Sequence, residues 1–247
     1  MLRPDSFTRW AGFAAIVSAP LAIASVVLLF APVGFDFEAF GDAARMLGLD
    51  PAGAGSVRWG LLLDLLGYYL LLAPLAILSR RLVDARVPGW GALASWSAGA
   101  YVLVGAAGAA GLAAVYTTLA AGYPMAGAIE QTAMETVFTG MTALVVDGLW
   151  NTFELVPAAV WFLLVGVALR RHSRALGGLS LVLGTASLID AAGMFLGNEA
   201  LAAVGLNLYL VLAPVWAAAM GVHLLRRPTR DAPSQTSRAG VEPVLTG

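Results

Sequence analysis

Long apolar stretches alternate with short polar connections along this chain. Because hydrocarbon offers the backbone no hydrogen-bond partner, apolar stretches long enough to cross it form helices rather than isolated strands. A crossing of about 30 Å needs roughly 20 helical residues, and every stretch here reaches that length. The pattern therefore predicts an all-α fold, a polytopic transmembrane bundle of six helices within residues 1–230. The six stretches are 10–32, 59–79, 89–119, 143–169, 176–196 and 201–225.

The composition points the same way. Of 247 residues, 60% are hydrophobic and 12% are charged, whereas soluble domains carry about 25% charged residues. Such a chain needs a lipid bilayer as its partner, and a homo-oligomer is compatible with it. The net charge of −1 gives no reason to expect nucleic acid. The last segment, 231–247, is rich in Pro, Ser, Thr and Gly, which predicts a disordered cytoplasmic tail.

The arginines give the expected orientation. Twelve of the fourteen basic residues, all of them Arg, fall on one side of the predicted membrane. Positive charge marks the cytoplasmic side, so both termini are predicted inside, in the plasma (inner) membrane of a bacterium. The first apolar stretch resembles a signal peptide in its basic flank but is longer than a typical signal core, which favours a retained helix. The connections 33–57 and 120–142 are then outside, where short amphipathic helices are expected.

A weak internal repeat accompanies this topology. Three predicted helices begin at Arg-x-x-Gly, and three others end in a double Arg. The chain thus divides into three hairpin pseudo-repeats with the same direction through the membrane. The positive-inside rule alone also places arginines at these ends, so duplication and topology are both consistent with the pattern. The repeated positions are Arg9/Gly12, Arg86/Gly89 and Arg174/Gly177, with Arg80-Arg81, Arg170-Arg171 and Arg226-Arg227.

Carboxyl groups within the apolar stretches are the strongest functional signal, because ionisable residues inside a membrane are costly and usually functional. Asp64, Glu154 and Asp190 each lie sixteen residues from an Arg at the basic end of their helix. At 1.5 Å per residue this is ~24 Å, which predicts one layer in the outer half of the bilayer. Oxygen ligands of this kind suit a proton or a hard cation such as Ca²⁺, Mg²⁺ or Mn²⁺. The three carboxylates are the predicted metal ligands.

Further polar residues extend this predicted layer as a second shell or a proton path. Some share a helix face with the carboxylates: Tyr68 lies four residues after Asp64, and Asp147, Asn151 and Glu154 follow at helical spacing. Asn207 and Tyr209 lie at similar height on the sixth helix. The alternative interpretation is structural, with protonated carboxyls serving as interhelical hydrogen-bond donors or lining a wet vestibule.

Three classes of function follow. The first is a cation- or proton-binding transporter or channel-like protein that uses the carboxylate layer. The second is a non-catalytic membrane partner or assembly protein that holds a protein or anionic lipid. The third is an intramembrane enzyme with a carboxylate dyad or a catalytic metal, which would pair Asp64 with Asp190 if their helices were neighbours. Enzyme motifs such as HExxH or GxSxG are missing, and with no Cys and no mid-span His no cofactor is predicted.

Two segments carry a family resemblance. RWGLLLDLLGYYLLLAPLAILSRRL covers residues 58–82, and RALGGLSLVLGTASLID covers 174–190. In pattern and order they resemble an uncharacterised, domain-of-unknown-function family of bacterial multi-pass membrane proteins. The resemblance implies a helical membrane fold and places Asp64 and Asp190 at positions typical of the family. It implies no activity.

Overall fold

The computed structural model describes residues 5–226, and within that range the regular structure is entirely helical. The predicted tail at 231–247 lies outside the described residues. Two segments are π-helical, and short 3-10 turns join several of the α-helices. The α-helices are α1 Ser6–Phe30, α2 Ala43–Leu47, α3 Pro51–Leu63, α4 Leu70–Asp84, α5 Gly91–Gly122, α6 Ala128–Thr142, α7 Leu155–Leu169, α8 Arg174–Leu196 and α9 Glu199–Arg226; the first π segment is Asp64–Tyr69 and the second is Ala143–Glu154.

The prediction of six apolar helices long enough to cross a membrane is confirmed. The second of these helices joins α3, the first π segment and α4 into one continuous helix. Asp50 begins it by accepting a hydrogen bond from the backbone N–H of Gly53, with Pro51 in the first turn. The six membrane-length helices are Ser6–Val33, Pro51–Asp84, Gly91–Met125, Ala128–Leu169, Arg174–Leu196 and Glu199–Arg226.

The connection at 120–142 differs from the prediction. The sequence predicts a loop with a short amphipathic helix there, but α6 runs straight into the second π segment and α7 as one helix of 42 residues. This segment contains polar residues, among them Glu130 and Glu135, so it falls outside the apolar stretch. The helix still continues through it, because none of residues 128–142 is proline. The connection at 33–57 holds 3-10 turns, the short α2 and the first turns of α3.

The six long helices contact one another in chain order and close into a ring. Helix α1 packs against α3 and α4, α4 against α5, α5 against α7, α7 against α8, and α8 against α9. The ring closes because α9 also packs along α1. Small residues allow these contacts: a Cβ on Gly221 would lie 2.5 Å from the carbonyl oxygen of Gly12, so the backbones of α1 and α9 touch.

Buried side chains form two apolar clusters along the ring axis. The larger cluster lies toward the basic end and includes Trp161 and Trp216. That end holds Arg80 and Arg81 in α4, Arg170 directly after α7, and Arg226 as the last residue of α9. The smaller cluster occupies the opposite, acidic end and includes Met46, Tyr116 and Phe138. Four buried tyrosines described below, Tyr68, Tyr69, Tyr101 and Tyr209, belong to the larger cluster.

An ion pair closes the turn region at the acidic end. The Arg45 guanidinium contacts the Asp36 carboxylate at 2.5 Å and donates to the Val33 carbonyl at 2.9 Å. The hydrogen bond from Arg45 lowers the pKa of Asp36, since it favours the charged carboxylate. This contact ties α2 back to the end of α1.

Candidate functional site

Two of the predicted carboxylates lie in π-helical segments. Asp64 opens the first π segment and Glu154 ends the second. The π-helix is rare, and its wide turns often occur at functional sites. Pro74 and Pro157 follow these segments and loosen the helical hydrogen-bond ladder. Proline alone does not produce the wide turns, because Pro214 lies inside α9 where the structure stays α-helical.

Glu154 is a buried acid with a hydrogen-bond partner. Its side chain is 2% exposed. The Tyr69 hydroxyl lies 3.0 Å from one carboxyl oxygen and 3.2 Å from the other, and it donates to the carboxyl. Tyr69 reaches this position because Gly105 on α5 leaves room for its ring: a Cβ at Gly105 would lie 2.0 Å from the ring. The contact joins the second long helix to the fourth across the ring.

Three further tyrosine hydroxyls meet beside this pair. The Tyr101 hydroxyl lies 2.6 Å from that of Tyr68 and 2.5 Å from that of Tyr209. The Tyr68 and Tyr209 hydroxyls are 3.4 Å apart. Each hydroxyl both donates and accepts, so three of them can satisfy one another in a cycle. We call Tyr68, Tyr69, Tyr101, Glu154 and Tyr209 the tyrosine–glutamate cluster.

The charge environment of this cluster is acidic. Glu154 supplies a carboxyl group, and Asp64 lies in the same π segment as Tyr68 and Tyr69. The ion pairs found in residues 5–226 are Arg45 with Asp36 and Arg80 with Asp84, both away from the cluster. Arg58, in α3 of the second long helix, is exposed and belongs to neither of these ion pairs.

Aromatic side chains pack on the basic side of the cluster. The Tyr101 ring lies 5.5 Å from that of Trp161, which stacks on Phe162 at 4.9 Å. Each indole of Trp161 and Trp216 donates to a buried serine, Ser79 at 2.8 Å and Ser180 at 2.7 Å. The indole N–H groups of both tryptophans are thus hydrogen-bonded. We call Trp161, Phe162 and Trp216 the aromatic floor.

Asp190 is buried but makes no side-chain hydrogen bond with the cluster. It is 1% exposed, and both of its carboxyl oxygens lack a hydrogen-bond partner among the described residues. Helix α9 contacts the Asp190 backbone at Gly205, where a Cβ would lie 2.4 Å from the Asp190 backbone nitrogen. Small residues of α8 are buried on the same side, with Ser180 and Ser187 fully covered.

The structure does not assemble the predicted metal ligands Asp64, Glu154 and Asp190 into one site. Among the described residues, no group of three or more His, Cys, Asp and Glu side chains is placed to hold a metal ion. Counting residues from the arginines gave height along the membrane but not direction around each helix, and the π segments change that direction. The predicted Asp64–Asp190 dyad required their two helices to be neighbours. They are not, because the first π segment packs on α1 and α5 whereas α8 packs on α7 and α9.

Of the other predicted site residues, some lie in the tyrosine–glutamate cluster and others are exposed. Tyr68 and Tyr209 belong to the cluster, and Asn151 is partly buried. Asp147 and Asn207 are exposed on the outside of the helices, and the Asn207 amide donates to the Ala203 carbonyl of its own helix at 2.7 Å. These two residues do not contact the cluster, so their predicted role next to the carboxylates is not supported by the structure.

Sequence reasoning missed Tyr69 and Tyr101. A signal for Tyr101 was present, because it lies fifteen residues after Arg86, close to the spacing that selected the carboxylates. A buried tyrosine hydroxyl needs a partner, so a mid-span tyrosine at that depth is informative. Tyr69 was harder to find, since an α-helix would turn it about 100° away from Tyr68.

Comparison with family models, curated protein sequences and solved structures gives no match to this chain. The resemblance to an uncharacterised bacterial family therefore stays a prediction, and the site is interpreted from its own geometry.

Replacing Asp190 by Ala should stabilise the protein. A buried polar group without a partner costs about 1–3 kcal/mol, and alanine removes it while keeping the Cβ that faces Gly205. We expect a higher midpoint of thermal unfolding in detergent. Asp147→Ala, at an exposed position, is the matched control and should change stability by less than about 0.5 kcal/mol. A lower midpoint for Asp190→Ala would mean that the carboxyl has a stabilising partner.

Proposed function

We propose that this protein is a proton-binding membrane protein of the transporter or channel type, with Glu154 as the group that takes up and releases the proton. It would form a six-helix bundle in the bacterial plasma membrane, with both termini and the basic end in the cytoplasm. The observation that carries the proposal is the burial of Glu154 at mid-protein against the hydroxyl of Tyr69, with no cationic side chain paired to it in residues 5–226.

Electrostatics favours a bound proton or cation at this position. An ionised carboxylate inside a membrane is costly unless a positive charge compensates it. Asp64, in the same π segment as Tyr69, is a second acid within the membrane-length helices. Glu154 is therefore expected to hold a proton in the conformation described here and to lose it when water or a path to water reaches the cluster.

The ligand chemistry favours a proton over a divalent cation. Ca²⁺ takes six to eight oxygen ligands, and Mg²⁺ requires near-octahedral coordination. The cluster offers one fully buried carboxyl and phenolic hydroxyls, which are weak ligands for such ions but good hydrogen-bond relays. The cycle of three hydroxyls lies next to the Glu154–Tyr69 pair and supports passage of a proton by exchange of donors and acceptors.

The aromatic floor supports a gated path rather than an open one. Trp161, Phe162 and Trp216 fill the space between the cluster and the basic end. A proton reaching the cytoplasm would need these side chains to move. The two π segments border the cluster, and their widened turns are places where a helix can shift without losing its whole hydrogen-bond ladder.

Infrared spectroscopy of the reconstituted protein tests the proposal. A protonated carboxyl has its own C=O stretching band, and we expect a band that titrates with pH in the wild type. That band should be missing from Glu154→Gln, which keeps the size and the hydrogen bond from Tyr69, and it should persist in the control Asp147→Asn. In vesicles with a pH-sensitive dye inside, Glu154→Gln should also abolish any proton flux that the wild type shows. An unchanged titrating band in Glu154→Gln would overturn the assignment.

A further inference from the structure

A surface cavity at the basic end is lined by arginines from two helices. It has a volume of about 570 Å³, and Arg170, Arg171, Arg174 and Gly178 line it. Arg170 and Arg171 follow the last turn of α7, and Arg174 is the first residue of α8. The cavity lies far from Glu154, at the opposite side of the aromatic floor.

Close backbone packing explains why the arginines share one cavity. A Cβ at Gly177 would lie 2.6 Å from the backbone nitrogen of Arg170, and a Cβ at Gly166 would lie 3.0 Å from the carbonyl oxygen of Gly177. The end of α7 and the start of α8 are therefore in direct contact. Gly178 adds no side chain, and open space surrounds the position where its Cβ would stand.

These arginines differ in charge balance from others at the same end. Arg80 lies 4.0 Å from the Asp84 carboxylate, whereas none of the ion pairs within residues 5–226 includes Arg170, Arg171 or Arg174. Three arginines and no carboxylate line this cavity, so its lining attracts anions. Guanidinium groups bind phosphate oxygens with two parallel hydrogen bonds, which suits a phosphate monoester or diester.

We propose that this arginine cavity binds a phosphate-bearing anion, most directly the headgroup of an anionic phospholipid. Its place at the ends of two membrane-length helices puts it at headgroup height when the helices cross a bilayer. Basic pockets between transmembrane helices are suited to such headgroups, because the phosphate meets the arginines while the acyl chains remain in the hydrocarbon. The site is independent of the proton chemistry at Glu154.

Binding can be measured with the full-length protein in detergent. The probes are short-chain phosphatidylglycerol, short-chain phosphatidylcholine with no net charge, and inorganic phosphate, with thermal stabilisation as the readout. We expect phosphatidylglycerol to stabilise the wild type and phosphatidylcholine to do so much less. Stabilisation by inorganic phosphate at similar concentration would support the site and assign it to free phosphate. No stabilisation by either anion would overturn the proposal.

Two variants separate the cavity from general positive charge. Gly178→Leu leaves every arginine in place and puts a side chain into the open space of the cavity. It should weaken phosphatidylglycerol binding by about tenfold or more, because the leucine occupies space that the headgroup needs. Arg174→Gln should do the same. The matched control Arg80→Gln removes an arginine of the same end that already has a carboxylate nearby, and it should bind as the wild type does. Wild-type affinity in Gly178→Leu would overturn the proposal, even if arginine variants insert poorly. Glu154→Gln should bind lipid normally.

Discussion

Gly105→Ala is expected to destabilise the protein strongly and to disconnect Tyr69 from Glu154. The added methyl group would lie 2.0 Å from one ring carbon of Tyr69 and 2.2 Å from another. Overpacking of this kind costs about 1–3 kcal/mol. Displacing the Tyr69 ring would also leave the buried Glu154 carboxyl without its hydrogen-bond donor, which costs about 1–3 kcal/mol more. The midpoint of thermal unfolding in detergent measures the sum.

Gly99→Ala is the matched control for this prediction. It lies on the same helix, α5, and a Cβ there meets no atom within 4 Å. Alanine favours a helix over glycine by up to about 1 kcal/mol, so Gly99→Ala should be neutral or stabilising. In addition, Tyr69→Phe combined with Gly105→Ala should cost less than the sum of the two single changes, because both remove the same hydrogen bond. Full additivity would mean that the methyl group leaves Tyr69 in place.

Gly205→Ala is expected to be similarly damaging, through the backbone rather than a side chain. A Cβ at Gly205 would lie 2.4 Å from the Asp190 nitrogen and 2.7 Å from the Ala186 carbonyl oxygen. Backbone atoms cannot rotate away, so α8 and α9 must separate, at a cost of about 1–3 kcal/mol or more. Tyr209 lies one turn further along α9 on the same face, and its hydroxyl should be drawn away from Tyr101. Unfolding midpoints and amide hydrogen exchange along α8 and α9 measure both effects.

The control for Gly205→Ala is Gly178→Ala on α8, whose Cβ would meet open space. It should leave the unfolding midpoint unchanged or slightly raised. If Gly205→Ala unfolds at the same temperature as this control, the close packing of α8 and α9 at Asp190 would be wrong.

Hydropathy was enough to predict the six long helices, because each must bury its backbone polar groups internally and present apolar side chains. Hydropathy failed where a helix continues beyond its apolar stretch, because such a segment keeps its backbone hydrogen bonds without apolar side chains. The polar residues around Glu130 and Glu135 suggested a loop, yet a helix needs no apolar surface beyond the hydrocarbon, and α6 continues through them. The second long helix begins at Pro51, before the apolar stretch that starts at residue 59, and its N-cap residue Asp50 marks that start.

The candidate site was predicted only in part, for a geometric reason. Residue counting gives height along a helix, and it selected Glu154 and Asp190, both of which are buried. It gives no information on which way a side chain points. Asp147 and Asn207 passed the same test of height, but they face outward. The missing information is the rotation of each helix, which depends on backbone contacts such as Gly105 with Tyr69.

The π segments also affect how this chain should be aligned with others. A π-helical turn contains one residue more than the α-helical turn it replaces, so the first π segment, Asp64–Tyr69, acts as an insertion within a continuous helix. Each residue of an α-helix advances the side-chain direction by about 100°. A relative whose second helix is regular would therefore match α3 and α4 in register only with a single-residue gap between them. Deleting one residue within the π segment would therefore give a regular helix in which α3 and α4 keep their present neighbours. The same deletion elsewhere in the span would turn the side chains of one half-helix by about 100° while leaving the hydropathy nearly unchanged.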